Sequence, residues 1–308
     1  MKKYIKIVVV GILFFSVYSC NNQDSFTESI FTDVPVLDTL AATYPFDKWL
    51  YDNYTVPYNV DFRYKLQDVS TDINYNLVPA ALDKAQSLAV LVKYLWFDVY
   101  SKIGGEDFLK YNGLRIINLI GSPAINADLG TEILGTAEGG IKVTLYKCNT
   151  FSPTNIDEMN EYYFKTMHHE YGHILQQKKS PPRDFDGLSA GYYDPTGWQF
   201  RSDAAAASIG CLSPYASSEP KEDWVEVIAN YIVKSDAWWK NRLAMAANPG
   251  KDGIPNNLKM RGDSIIITKL AMCTEYLKKS WNIDLQTLHN EVQERQTHVV
   301  EILNEKYW

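Results

Sequence analysis

His169-Glu170-Tyr171-Gly172-His173 is an H-E-x-x-H pattern carrying two of the chain's five histidines. On a helix, positions i and i+4 lie on one face, so His169 and His173 can offer two imidazole nitrogens to a single zinc ion. Glu170 follows the first of them, close enough to reach a metal-held water without binding the metal. A Lewis acid, a nucleophile and a base together suffice for hydrolysis at neutral pH. Apolar residues surround the pattern, from Tyr162-Tyr163-Phe164 before it to Ile174-Leu175 after it. They predict a helix inside a core, where two histidines need polar partners. His168, directly before the pattern, reads either as a support of the metal ligands or as exposed, with exposure the leading expectation.

A catalytic zinc takes three protein ligands and keeps a fourth position for water. No histidine stands at the third position of H-E-x-x-H-x-x-G-x-x-H. Gln176, Gln177 and Lys179 follow His173, and the next histidine is His289. A glutamate on a later helix is the other common solution, and Pro220 to Ile232 supplies one. Pro220 marks a helix start, acidic residues fill the first turn, and apolar residues recur at helical spacing. Glu222 and Glu226 share one face. We read Glu222 as the ligand and Glu226 as hydrogen-bonded to a ligand histidine, with the reverse assignment open. Tyr215 stands seven residues before Glu222, where its hydroxyl could donate to the oxyanion of a tetrahedral intermediate.

Three elements, the H-E-Y-G-H helix, Ser213-Pro214-Tyr215-Ala216 and Glu222-Asp223-Trp224-Val225-Glu226, resemble the substrate import-associated zinc metallohydrolase lipoproteins of the Bacteroidetes. This resemblance extends over nearly the whole chain after the leader, including Val56-Pro57-Tyr58-Asn59-Val60, Ile120-Gly121-Ser122 and Ala137-Glu138-Gly139-Gly140. At the metal site alone the chain is also similar to the catalytic domain of anthrax lethal factor, a gluzincin. There the glutamate opening an E-x-x-x-E helix is the third ligand and a tyrosine seven residues earlier faces the metal. The resemblance implies a zinc-binding, zincin-like α+β metallopeptidase domain with a mixed sheet and a mostly helical C-terminal part. It implies Glu222 as ligand and Tyr215 as oxyanion donor, and a setting beside a TonB-dependent transporter and its surface lipoprotein.

Lys2, Lys3 and Lys6 precede an apolar stretch, Ile7 to Phe15, that is short for a membrane span, and Ser16-Val17-Tyr18-Ser19 leads into Cys20. Residues 1–19 read as a lipoprotein signal peptide and Cys20 as the acylated residue, although Val17 stands where a leucine is usual. Each buried methylene contributes about 0.8 kcal/mol, so two or more acyl chains hold a protein at a membrane without a spanning helix. Asn21 gives no aspartate-type inner-membrane retention signal; an outer-membrane anchor is expected, facing the periplasm or the cell surface. The chain carries a formal charge of −7, and the leader removes three lysines from it. An exported acidic chain is a poor partner for nucleic acid. Cys148, Cys211 and Cys273 show neither metal-cluster spacing nor a disulfide framework.

Residues 20–40 read as a polar tether and 41–308 as one domain, an N-terminal α/β lobe followed by a C-terminal helical lobe. Asn59 to Tyr64, Arg115 to Ile120 and Ile141 to Tyr146 read as strands, and Pro79 to Tyr100 as a long amphipathic helix. Gly139-Gly140 suggests a tight turn or a backbone open to substrate. Ile141–Tyr146 is the candidate edge strand against which an extended peptide would pair. The stretch between the two candidate metal-binding helices is rich in Gly, Pro, Asp and Ser and is expected to wall the cleft. From Lys259 the chain reads as helical with a break at Trp281–Leu285, and His289 and His298 as surface residues. The leading functional expectation is a zinc-dependent peptidase. The other is a non-catalytic surface lipoprotein that binds peptide or glycan for a transporter; an intact Glu170 favours the first.

Overall fold

Helix α1 (Tyr44–Leu50) runs on through a widened turn (Tyr51–Thr55) to Tyr58. Asn59, in the left-handed region at φ 54°, then diverts the chain into β1 (Asp61–Arg63). The computed structural model describes residues 37–66, 76–125, 132–133, 135–138, 141–255, 258 and 260–308. The stretches expected to be leader and tether, up to residue 36 and including Cys20, and Gly139-Gly140 lie outside the described residues.

The long helix expected from Pro79 starts at α2 (Leu82–Val92) and continues as α3 (Asp98–Gly104). Between them, Lys93–Phe97 forms a π turn in which the Asp98 N–H reaches back to the Lys93 carbonyl. A π turn inserts an extra residue and rotates the following side chains. Trp96 and Phe97 in this turn are both fully buried.

Strands β2 (Ile116–Leu119), β3 (Ala124–Ile125), β4 (Glu132–Ile133), β5 (Gly135–Glu138) and β6 (Lys142–Leu145) follow. One sheet has the order β1-β2-β6-β5, with β1, β2 and β6 parallel and β5 antiparallel to β6; β3 and β4 pair separately. The sheet corrects one expectation. Ile141–Tyr146 is not an edge: β6 lies between β2 and β5, all four of its residues buried. Its main-chain groups are engaged on both sides, as in the interior of a parallel sheet. The edges of the sheet are β1 and β5, and Gly135 of β5 lies against Thr166 at the start of the next long helix.

That helix is α4 (Lys165–Lys178), which carries the H-E-x-x-H pattern, and it packs on α5 (Pro220–Val233). A β-carbon placed on Gly172 would stand 2.8 Å from Val225 Cγ1, so the glycine lets the two backbones approach. Two further long helices, α6 (Gly262–Trp281) and α7 (Leu285–Gln296), cover α5. The break between them falls where the sequence puts it. Asn282 adopts φ 55° and the Asp284 carboxylate caps α7 through the Thr287 N–H.

Two histidines are placed differently from expectation. His168 is buried, because α4 is covered on that side by Trp96 and Tyr100. His289 is buried too, its Nδ1–H donating to the Tyr231 carbonyl at 2.6 Å, because that face of α7 turns towards α5. His298 is exposed, as expected. The segment between α4 and α5 is no open loop: it holds short helices at Asp184–Gly187 and Asp203–Ser208 and 3-10 turns at Trp198–Phe200 and Tyr215–Ser217. Among the described residues no helix is long and apolar enough to cross a membrane.

Candidate metal centre

One turn of α4 and the first turn of α5 bring three basic atoms to a point. His169 Nε2 lies 3.2 Å from His173 Nε2 and 3.0 Å from Glu222 Oε2, and His173 Nε2 lies 3.3 Å from the same oxygen. These residues form the metal-capable cluster among the described residues. Tetrahedral ligands at ordinary zinc distances stand about 3.3 Å apart, which is the spacing seen.

Proton bookkeeping argues for a cation at this point. His169 Nδ1 faces Glu226 Oε1 at 3.1 Å and carries a proton there. In the neutral ring, Nε2 then presents a lone pair, as does the Glu222 oxygen opposite it. Lone pairs facing one another at this range need a positive charge between them. Without a metal a proton fills the role. Burial opposes the imidazolium of His169, but hydrogen bonds and charge from Glu222 and Glu226 outweigh it and push the ring up to about 9. Burial likewise opposes ionisation of Glu222, yet His169 and His173 hold its carboxyl well below the usual carboxylate range. The donor set, two imidazoles and one carboxylate, is that of a catalytic zinc site.

Each donor is held from behind. Glu226 is 2% exposed, and besides His169 it accepts hydrogen bonds from Ser213 Oγ at 2.7 Å and Asn230 Nδ2 at 3.2 Å, with Lys165 Nζ at 3.9 Å. Burial opposes its ionisation, and Lys165, His169 and Ser213 hold it ionised. His173 Nδ1 is 2.6 Å from the Gln176 amide. Lys165, Gln176 and Asn230 were missed from sequence, although Gln176 and Asn230 stand three and four positions along a helix from His173 and Glu226, which they support; Lys165 reaches Glu226 from the other helix. Ser213 carried no such signal, since only the turn between helices brings it there.

Glu170 is half-buried beside the cluster; burial raises its carboxyl, His169 and His173 act in the opposite sense, and Glu222 adds to the rise. Tyr215 remains 39% exposed, its ring centroid 5.8 Å from that of His169. Partial burial and the neighbouring Glu222 carboxylate raise its hydroxyl well above the ordinary value, so it remains a proton donor. Trp198, from the connecting segment, packs edge-on against Tyr215 at 5.0 Å; nothing in its spacing announced that. The structure therefore brings together Glu170, His169, His173, Glu222, Glu226 and Tyr215, whereas Cys20 lies outside the described residues.

The model of a family described as "putative zinc-binding metallo-peptidase" matches residues 40–286. A crystal structure of a "putative zinc-binding metallo-peptidase" from Bacteroides caccae ATCC 43185 is 44% identical, with a TM-score of 0.70, covering 83% of this chain and 93% of that one. No curated protein matches.

Proposed function

Because the chain belongs to the family of zinc-binding metallo-peptidases whose model spans residues 40–286, we propose that it is a zinc-dependent hydrolase acting on peptide bonds, of the gluzincin type. His169, His173 and Glu222 would hold the metal. The observation that carries the reading is the meeting of their three donor atoms at 3.0–3.3 Å with Glu170 alongside.

When bound, zinc supplies a Lewis acid that polarises a carbonyl and lowers the pKa of water from about 16 to about 7. The chain's own residues do the rest. Glu170 takes the proton from the attacking water and returns it to the leaving amine, and its raised pKa suits both tasks. The Tyr215 hydroxyl donates to the oxyanion as the carbonyl becomes tetrahedral. Glu226 fixes the tautomer and orientation of His169, and the Gln176 amide, against Nδ1, steadies the ring of His173. A binding protein with no chemistry to perform has no use for a carboxylate in the position of Glu170, which supports an enzyme over a capture module.

The leader and Cys20 support attachment to the outer membrane by acyl chains, on its periplasmic or outer face, with a TonB-dependent transporter and its surface lipoprotein as neighbours. On this reading cleavage serves nutrient import.

The deciding measurement is metal content of the purified protein beside Glu222→Ala and Glu226→Ala. About one zinc per chain, lost without Glu222 and only loosened without Glu226, is expected from three ligands and one supporting carboxylate. Folded wild type that takes up no zinc even when it is added back would remove the hydrolase reading.

A further inference from the structure

A cleft of about 500 Å³ opens directly beside the candidate metal centre, with His173 and Glu222 forming part of its wall. Its volume is in the range of small-ligand sites. Phe185 and Trp224, edge to face at 4.9 Å, lie at its apolar side. Arg183 and Lys221 line it as well, both exposed and neither paired with an acidic group among the described residues. They come from different elements: Arg183 precedes the short helix Asp184–Gly187, and Lys221 stands in the first turn of α5. Asp186 also lines the cleft without ion-pairing to either cation.

We propose that this cleft is a subsite for an acidic side chain of the substrate, with Arg183 and Lys221 recognising its carboxylate. The inference rests on the hydrolase reading for the identity of the substrate, and on the cleft for its chemistry. A side chain in the cleft belongs to a residue next to the bond over the metal, because two of the metal-site residues form its wall. With Glu222 turned to the metal site, Arg183 and Lys221 outnumber Asp186 in the lining, so a lysine or arginine there meets a net positive wall, and an apolar side chain leaves both cations without a partner. An aspartate or glutamate offers each a charge-assisted hydrogen bond. The whole chain has a formal charge of −7, so an acidic residue is unwelcome over most of the surface and these two cations supply local discrimination.

Two measurements on the full chain test the proposal separately from the reading beneath it. The first is cleavage of a mixed peptide library by zinc-loaded wild type, with products sequenced by mass spectrometry. Enrichment of Asp and Glu on one side of the cut, lost in Arg183→Glu/Lys221→Glu, is expected. The second is binding of matched peptides differing only in Glu, Gln or Lys at that position to Glu170→Gln protein, followed by calorimetry. Where the library gives no cuts, the varied residue is scanned through every position of the peptide. The Glu peptide should bind about fivefold to tenfold tighter than its Gln counterpart, the scale of two partly exposed charge contacts. That margin should disappear in the double variant. Cuts without acidic preference, equal binding of Glu and Gln peptides, or no binding of either overturns the subsite. Glu-dependent binding without any cleavage by wild type would retain the subsite and remove the hydrolase reading.

Discussion

His169 depends on what stands behind it as much as on what it faces. Its Nδ1–H donates to Glu226, a carboxylate that Ser213, Asn230 and Lys165 keep ionised in the core. Replacing Glu226 by Ala should weaken zinc binding by about 10–100-fold with the fold retained, the usual effect of losing such a partner. Competition with a metal-sensitive dye measures this, and unchanged affinity would mean the ring needs no such support. Glu170→Gln should keep the zinc and lower turnover by about 10²–10⁴-fold. Full turnover of a library substrate by that variant would remove Glu170 from the mechanism. These residues were legible in the sequence because helical spacing fixes which side chains share a face. His168 was not, since nothing local tells whether a further element covers that side of α4. Its burial pushes the imidazole from the ordinary 6.5 down to about 3. An unfolded chain takes up a proton there as pH falls below 6.5, while the folded chain does not until about 3. The contribution of neutral His168 is therefore complete above 6.5 and lost progressively between 6.5 and 3, by up to roughly 5 kcal/mol. In chelator-treated protein, denaturation from pH 7 to 4 should show a flatter slope for His168→Gln than for wild type. Equal slopes would mean another group governs the acid side.

The centre exists only while α4 and α5 lie close together, and Gly172 sets how close. A methyl group at that position meets Val225 Cγ1 at 2.8 Å, nearer than packed carbons sit. Gly172→Ala should destabilise by about 1–3 kcal/mol through overpacking, less up to about 1 kcal/mol returned by alanine's helix preference. It should also weaken zinc binding, because Glu222 and Glu226 ride on α5 while both histidines ride on α4. Adding Val225→Ala should restore zinc affinity. Failure of that rescue, with the fold intact, would show that the helices do not meet as described. The sequence announced both helices through periodicity and caps, but not their contact, which joins positions some fifty residues apart. The strands tell a similar story. Their apolar runs were readable, whereas the order β1-β2-β6-β5 depends on pairing across the chain, and so the edge was assigned to the wrong strand. Lys142–Leu145 are all buried, yet Lys142 and Thr144 alternate with Val143 and Leu145 as on a strand with one wet face, so nothing local showed where in the sheet it lies.

Across the whole molecule, the segment between α4 and α5 must be fastened to the helical part if Tyr215 and Trp198 are to stay beside the metal centre. Lys269 of α6 fastens it. Its ammonium is fully buried, pairs with Asp223 of α5, and donates to Ser189 Oγ at 2.7 Å and to the Gly210 carbonyl at 2.8 Å. Tyr193 Oη donates to the same Asp223 carboxylate at 2.8 Å. Four stretches distant in sequence thus meet at one ion pair, which no local pattern could reveal. Removing one member of such a pair leaves the other charged and buried, at a cost of about 3–5 kcal/mol. Lys269→Met should lose that much in equilibrium denaturation. Lys269→Met/Asp223→Asn should recover part of it, since the amide still accepts from Tyr193 without carrying a charge. Because Asp223 follows Glu222 directly, the single variant should also hold zinc more weakly, and the double variant should come back towards wild type in both measurements together. Recovery of stability without recovery of zinc affinity would mean that the pair secures the fold alone. Parallel recovery would mean that the same buried charge couples the connecting segment, α5 and the metal site.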